Sequence, residues 1–188
     1  MSAAARLVRP AARWRDAFLR AARDHVRNAN DPQRNPEYTR AVDDFDAYLA
    51  SLARAAGNET PAPGMVRQWN FWLVAGGEVV GQLRLRERLT TRLAWLGGHI
   101  GYDVPPSQRR KGHATRMLKL GLAEAAKIGL GQAMLTADAG NAASIKVIER
   151  NGGTLDAEVV GLPFHAFLID ADLDRVAVAL RTAIEQAR

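Results

Sequence analysis

The strongest constraint on the fold is a change of hydrophobic period near residue 69, where helical spacing gives way to extended spacing. Residues 70–75 and 79–85 flank a Gly76-Gly77 pair, a pattern typical of a β-hairpin. Residues 95–104 predict a further strand, which Pro105-Pro106 ends. A strand-to-helix alternation that follows an antiparallel meander predicts a sheet with helices packed on it.

The same alternation continues toward the C-terminus. The sequence predicts helices over 114–128 and 142–150, a strand over 132–137 between them, and a strand or hairpin within 157–169. A last apolar stripe over 173–184 predicts a helix that either covers its own core or faces a partner chain. We therefore expect an α/β (α+β) fold, with a mixed, mostly antiparallel central sheet flanked by helices on both faces.

The first 65 residues are predicted to be mainly helical. Residues 6–9 predict a short strand, and residues 11–26 predict a basic helix. Turn-forming residues separate this helix from a second one, for which Asn35 is the expected N-cap and Gly57 the expected end. The apolar positions of the second helix keep one helical stripe, so we expect it to be continuous. These positions are Tyr38, Val42, Phe45, Leu49 and Leu52.

Length and composition argue against several classes of protein. The 188 residues predict one domain, 1–188, made of a helical region (1–65), a core (69–156) and C-terminal strands and a helix (157–188). The sequence has no cysteine and four scattered histidines, so we expect no disulfide and no metal site. No apolar run reaches membrane-spanning length and no signal-peptide core is present, so we expect a cytoplasmic protein without a membrane partner.

The net charge of +6 leaves the partner open. A positive field favours nucleic acid, acidic membrane or a phosphorylated ligand. All but four of the 26 cationic side chains are arginine, which a GC-rich genome explains as readily as a polyanionic partner does. The basic segments lack interleaved exposed aromatic residues and a recognition-helix motif, so we expect no nucleic-acid partner.

The segment from Val104 to Leu118 carries the clearest chemical signal. It reads Val-Pro-Pro-Ser-Gln-Arg-Arg-Lys-Gly-His-Ala-Thr-Arg-Met-Leu, so a strand ends, a basic turn follows and an amphipathic helix begins. Gly112 lets a ligand approach the backbone closely, and the N–H groups at the helix start attract an anion. The spacing fits neither a Walker A loop nor a dinucleotide fingerprint. The residues alone leave two interpretations open, a phosphate or pyrophosphate site and a solvated basic turn.

Two motifs in this half of the sequence resemble one enzyme family. Arg109-x-x-Gly112-x-Ala114, after a strand, resembles the pyrophosphate loop (Arg/Gln-x-x-Gly-x-Gly/Ala) of the GNAT superfamily of acetyl-CoA-dependent N-acetyltransferases. Asn141-x-x-Ser144, followed by a helix and a glycine, resembles the second conserved segment of that family. The resemblance implies transfer of the acetyl group of acetyl-CoA to a primary amine of a small molecule, peptide or protein, by direct attack in a ternary complex.

The resemblance also implies how acetyl-CoA is bound. Its pantetheine arm is expected to pair with the backbone around Tyr102 and Val104, as an added strand. Asn141 is expected to bond the pantetheine or to support the site, and Ser144 lies one helical turn later. The residues expected around the pyrophosphate are Arg109, Arg110, Lys111, Gly112, His113, Ala114 and Thr115. No metal is implied.

The catalytic groups are harder to assign from the resemblance. The reaction needs a neutral amine, a donor to the developing oxyanion, which the N–H near Val104 supplies by analogy, and a proton for the leaving thiolate. His99 is a candidate base, because an unperturbed histidine pKa of ~6.5 suits neutral pH; the alternative is a structural histidine bonded within the sheet. The tyrosine that protonates the thiolate in many family members is replaced by Ile148. Tyr102, Ser144 or water then serves, or the step needs no dedicated acid.

The acceptor is the least determined partner. The resemblance implies that the N-terminal helices border the acceptor site, so residues 1–65 are expected to be the acceptor-side region. Its acidic residues either attract a cationic amine or form the solvated face of the second helix, and we favour the second interpretation. These residues are Asp31, Glu37, Asp43, Asp44 and Asp46. The loss of the family tyrosine keeps a CoA-binding sensor or scaffold as the alternative function. A homodimer also stays open.

Overall fold

The computed structural model describes residues 4–28, 35–57, 61–158 and 164–171, and within them two antiparallel sheets form. The strands are β1 (Arg6–Val8), β2 (Gln68–Ala75), β3 (Glu78–Arg86), β4 (Ile100–Asp103), β5 (Gln132–Asp138), β6 (Thr154–Glu158) and β7 (Phe164–Asp170). One sheet has the order β1-β2-β3-β4 and the other the order β5-β7-β6. All of their pairings are antiparallel.

The helices are α1 (Arg15–Asn28), α2 (Asn35–Asp43), α3 (Phe45–Ala56), α4 (Thr91–Trp95), α5 (His113–Lys127) and α6 (Ala142–Arg150). Helix α5 packs on one face of the first sheet, and α1, α2 and α3 pack on the opposite face. Alternate residues of β2 enter two separate cores, because successive side chains of a strand point to opposite faces. Phe71 and Leu73 pack with residues of α5, whereas Trp72 and Val74 pack with residues of α1, α2 and α3. The expected α/β class, with a mostly antiparallel sheet flanked by helices, is confirmed, but the described strands form two sheets and not one central sheet.

The second N-terminal helix is not continuous, contrary to the expectation from its apolar stripe. The backbone of Asp44 is extended, and its carboxylate accepts a hydrogen bond of 2.9 Å from the N–H of Ala47. Asp44 is therefore the N-cap of α3, a position that aspartate favours because it supplies an acceptor to the helix start. The apolar stripe persists across the break, since Tyr38, Phe45 and Leu52 are all buried. Helix α2 begins at Asn35 itself, whereas Asn35 as the N-cap would make Pro36 the first helical residue.

The strand expected over 95–104 is shorter than predicted. Thr90 accepts a hydrogen bond of 3.3 Å from the N–H of Leu93 and starts a short helix, α4, which ends at Trp95. Gly97 and Gly98 then turn the chain with positive φ, and β4 begins only at Ile100. The Thr90 cap and the Gly97-Gly98 turn therefore replace the first five residues of the expected strand with a short helix and a turn.

The remaining sequence expectations for the core agree closely with the structure. The helix expected over 114–128 is α5, and the helix expected over 142–150 is α6 with the same bounds. The strand or hairpin expected within 157–169 corresponds to β7 and the end of β6, which pair antiparallel; β6 begins at Thr154, three residues before the expected range. The helix expected over 173–184 lies outside the described residues. None of the helices in the described ranges has the length and apolar composition of a membrane span.

Candidate cofactor site and its surroundings

The loop between β4 and α5 ends in a helix start without a side-chain cap. Gly112 is the N-cap of α5, with a left-handed φ of 79° and no side-chain hydrogen bond to the first turn. The first α-helical hydrogen bond shown there runs from the N–H of Arg116 to the carbonyl of Gly112, so the N–H groups of His113, Ala114 and Thr115 precede the helical ladder. A Cβ built on Gly112 meets no heavy atom within 4 Å. This helix start therefore has the donors and the open space that a phosphate group needs.

The cations of this loop differ in what they contact. Arg109 donates from Nε to the carbonyl of Val104 at 3.1 Å, which ties the loop to the end of the strand. Lys111 donates to Gln108 at 3.0 Å, and Arg110 is exposed with a positive φ of 62°. Burial, and then the charge of Lys111, lowers the pKa of His113. The site is therefore positively charged through its arginines and lysine and not through His113.

The two sheets part between β4 and β5. Among the described residues no strand ladder joins β4 to β5, and the hydrogen bonds that link the sheets come from the segment just before β4. The N–H of His99 donates to the carbonyl of Met134 at 2.7 Å, and the N–H of Gly97 donates to the hydroxyl of Thr136 at 2.8 Å. Strands that separate in this way leave a gap in which a ligand with amide groups can bond the backbone.

Tyr102 reaches from β4 to α6. Its hydroxyl lies 2.8 Å from the hydroxyl of Ser144 and 3.3 Å from the Ser144 carbonyl oxygen. Asn141 is the N-cap of α6, because its side-chain oxygen accepts the N–H of Ser144 at 3.0 Å. Three of the expected site residues are thus brought together. Ile148, at the family tyrosine position, is only 1% exposed and packs in the core.

The position of His99 is defined by contacts on both sides. Its Nδ1 accepts the N–H of Met134 at 3.0 Å, so the neutral imidazole carries its proton on Nε2. Burial, and then the charge of Arg86, lowers the pKa of His99. Arg86 itself donates to the carbonyl of Gly98 at 2.9 Å. His99 is therefore a neutral hydrogen-bond acceptor of β5 at neutral pH, and its expected catalytic role stays a prediction.

A buried ion network on the other face of the sheet was not foreseen from the sequence. Arg84 donates to Asp103 at 2.7 Å and to Glu37 at 2.5 Å. The hydroxyl of Tyr38 donates to Asp103, and Nε2 of His25 lies 3.3 Å from the same carboxylate. Burial opposes the charge of Arg84, but Asp103 and then Glu37 outweigh it and raise the pKa of the guanidinium well above its usual value. The network therefore links α1, α2, β3 and β4 through polar and charged side chains.

Gln82 extends this network toward α3. It donates to Glu37 at 2.9 Å and accepts from the hydroxyl of Tyr48 and the indole N–H of Trp72, both at 3.0 Å. Burial is the main cause that raises the pKa of Tyr48 above its usual range. The sequence did hold one signal for this network: Gln82 and Arg84 alternate with the buried Leu83 and Leu85, and such alternation predicts that the two polar side chains share one face of a strand.

The expectation of a solvated acidic face is wrong for Glu37 and right for its neighbours. The Glu37 side chain is 22% exposed and is held by the network, whereas Asp43, Asp44 and Asp46 are exposed. Asp31 lies outside the described residues. The carboxylate of Glu37 therefore bonds α2 to strand β3, through Gln82 and Arg84.

The comparison with protein families identifies the class of protein. A family model described as "Acetyltransferase (GNAT) domain" matches residues 6–154. The chain therefore belongs to the GNAT acetyltransferase family. The search of curated protein sequences gave no significant match.

Solved structures of GNAT acetyltransferases share the fold. Mycobacterium smegmatis RimJ in complex with CoA-disulfide is 20% identical, with 93% of this chain and 89% of that chain covered and a TM-score of 0.62. RimL, described as a ribosomal L7/L12 alpha-N-protein acetyltransferase in complex with coenzyme A, is 15% identical, with 90% and 97% covered and a TM-score of 0.61. YncA, a putative acetyltransferase from Salmonella typhimurium with acetyl-CoA, is 16% identical, with 90% and 95% covered and a TM-score of 0.59.

Acetyl-CoA or CoA is the ligand of these solved relatives, and the helix start of α5 fits such a ligand. The open space at Gly112 and the donors of the first turn suit its pyrophosphate. Within the described ranges, no cluster of three or more histidine and carboxylate side chains that could hold a metal ion is present.

Proposed function

We propose that the protein is an N-acetyltransferase that moves the acetyl group of acetyl-CoA to a primary amine of a small molecule, peptide or protein. The observation that carries the proposal is the uncapped start of α5 beside a gap between two sheets. That arrangement offers oriented N–H groups for a pyrophosphate and backbone groups for an amide-bearing arm. Family membership supports the same donor.

The proposed cofactor contacts follow the order of the acetyl-CoA molecule. The N–H groups at the start of α5 bind the pyrophosphate, while exposed Arg110 and Lys111 supply charge to it or to the 3′-phosphate. Arg109 holds the loop against the carbonyl of Val104. The pantetheine arm bonds the backbone of β4 in the gap toward β5. Asn141 supports the site by capping α6, close to the Tyr102 hydroxyl.

The proposed reaction is direct transfer between acetyl-CoA and the amine. The amine lone pair attacks the acetyl carbonyl carbon, a C–N bond forms, and the carbon–sulfur bond then breaks. The backbone N–H of Val104 stabilises the oxyanion, and the amine releases a proton to solvent or to a base. The leaving thiolate takes a proton, so the products are the acetylated amine and free CoA.

Tyr102 is the proposed proton donor to the thiolate. Ile148 has no proton to give, and the Tyr102 hydroxyl reaches α6, the helix that carries the tyrosine in many family members. Ser144, 2.8 Å away, can return a proton to Tyr102 or orient its hydroxyl. We expect Tyr102→Phe to lower kcat by about 100-fold, the lower end of the range for general acid catalysis, while CoA affinity changes little.

The test of the proposed function is product formation with defined amines. The purified protein is incubated with acetyl-CoA and, in separate reactions, a peptide with a free α-amine, the same peptide with a blocked α-amine and a lysine side chain, and a diamine. The α-amine of a protein is the acceptor named for RimL, which makes the first peptide a suitable probe. A hydroxylamine-stable acetyl product on any amine supports the proposal. Hydrolysis of acetyl-CoA alone, or an ester product, contradicts it.

The alternative function is a CoA-binding sensor or scaffold. The observation that favours it is the apolar Ile148 at the position of the family's proton donor. Tight CoA binding with no amine product across the panel would support the sensor. The cytoplasmic location, the absence of a nucleic-acid partner, the homodimer and the single domain over 1–188 stay predictions.

A further inference from the structure

The junction between the two sheets depends on a side chain where a strand ladder would use backbone. In a regular ladder, the N–H groups of one strand donate to carbonyl groups of the next. At the start of β4 the N–H of Met134 donates instead to the imidazole Nδ1 of His99, at 3.0 Å. The carbonyl of His99 is directed to the other side, where it accepts the N–H of Arg86 in β3 at 2.8 Å. His99 therefore bonds both sheets at once.

The approach of this junction to β5 is very close. Gly98 has a positive φ of 62°, and a Cβ added there would lie 2.3 Å from the carbonyl oxygen of Met134. Only glycine fits that contact without a shift of the backbone. The N–H of His99 also donates to the Met134 carbonyl, at 2.7 Å. The residue before β4 is thus held against β5, while Ile100–Asp103 have no ladder to β5.

We propose that His99 is a positioning residue of the acetyl-CoA site, whose imidazole bonds β5 in place of a strand carbonyl and so fixes where the gap between β4 and β5 begins. The inference rests on the proposed function, because the gap is where the pantetheine arm is bound. His99 acts through β4 and β5 and need not touch the reacting atoms. This role differs from a catalytic base, which requires a proton-accepting nitrogen at the amine.

Asparagine separates these two roles. The side-chain oxygen of asparagine occupies about the place of histidine Nδ1 and accepts an N–H, but an amide does not titrate near neutral pH. His99→Asn therefore keeps the bond from Met134 and removes the base. His99→Leu and His99→Ala remove both, and alanine is the second variant because its smaller side chain introduces no clash.

The experiment measures CoA affinity by calorimetry and, separately, kcat and KM with the best amine for the wild type and the three variants. Circular dichroism and the unfolding midpoint of each variant verify folding. We expect His99→Leu and His99→Ala to bind CoA about tenfold more weakly and to have a raised KM for acetyl-CoA. We expect His99→Asn to stay within about threefold of the wild type in both affinity and kcat.

Each outcome decides between the proposals. A wild-type protein that does not bind CoA refutes the proposed function, and this inference with it. Wild-type binding that is unchanged in His99→Ala refutes the positioning role alone. Unchanged CoA affinity in all three variants, with kcat lost equally in the asparagine and alanine variants, identifies His99 as a base and overturns the positioning role.

Discussion

Replacing Arg84 by methionine tests whether the buried ion network holds the N-terminal helices on the sheet. The guanidinium donates to Asp103 at 2.7 Å and to Glu37 at 2.5 Å, and the Asp103 side chain is only 8% exposed. Methionine has a comparable length and no charge. The substitution therefore leaves the packing volume nearly filled and removes the cation between two carboxylates.

The expected loss follows from the burial of each partner. Removing one member of a buried ion pair costs about 3–5 kcal/mol, because the remaining charge loses its oppositely charged partner. The Asp103 carboxylate supplies most of this loss, because its side chain is the more buried of the two, although the Tyr38 hydroxyl still donates to it. Glu37 contributes less, since its side chain is 22% exposed and Gln82 still donates to it. For a domain of this size the midpoint falls about 2–4 °C per kcal/mol, so we expect a decrease of order 10 °C.

The assay is urea and thermal unfolding of Arg84→Met beside a matched control, Arg20→Met. Arg20 makes two bonds of similar length to Glu78, 3.0 and 2.8 Å, but both side chains are about half exposed. Water screens such a pair, so we expect the control to unfold close to the wild type. If Arg84→Met and Arg20→Met lose equal free energy of unfolding, burial does not make the Arg84 network more stabilising than an exposed ion pair, and the reasoning is refuted. A double variant, Arg84→Met with Asp103→Leu, is expected to regain part of the loss.

Two further predictions concern helix packing and pH. Gly121→Ala places a Cβ 2.3 Å from Cδ1 of Leu83, so we expect a loss of about 1–3 kcal/mol in urea unfolding, whereas Gly131→Ala, with no atom within 4 Å of its Cβ, should unfold like the wild type. Burial alone would raise the pKa of Asp24, but the hydrogen bond from the Ser107 N–H and the other bonds to the carboxylate outweigh burial and lower it. The ionised carboxylate therefore stabilises the folded state at pH values above its unfolded pKa of ~3.9. Asp24→Asn should therefore cost stability at pH 7, and its difference from the wild type should shrink as the pH falls through the folded pKa of Asp24; a difference that does not depend on pH contradicts this account.

The sequence predicted the parts of the fold that depend on local patterns. The spacing of Ala114, Met117 and Leu118 identified α5, and Gly112 marked its start, because an amphipathic face and a left-handed cap are both local properties. The break at Asp44 was missed, since the apolar stripe continues through it and only the backbone geometry reveals the cap. Trp95 was placed in a strand because the capping of α4 by Thr90 competes with an extended pattern nearby.

The candidate site was predicted unevenly for a similar reason. The contact of Tyr102 with Ser144 joins residues 42 positions apart, and the motifs suggested only that both lie near the cofactor. The bonds of Arg84 to Glu37 and Asp103 depend on how three elements meet, and no local spacing encodes them. Sequence patterns therefore predict a backbone site for an anion at the start of α5, but they do not predict the buried network of Arg84, Glu37 and Asp103.

The most direct test of the central claim is calorimetric titration of CoA into the wild type, Gly112→Glu and Gly129→Glu. Both glycines flank α5, have left-handed φ values of 79° and 85°, and have no atom within 4 Å of an added Cβ, so the backbone strain of substitution is matched. A ligand at 100 times its Kd adds about 2.7 kcal/mol of stability, so thermal melts in CoA provide a second readout. We expect CoA to bind and stabilise the wild type and Gly129→Glu, and to do neither with a folded Gly112→Glu. Equal binding by the two variants, or no binding by the wild type, would contradict a cofactor site at the start of α5.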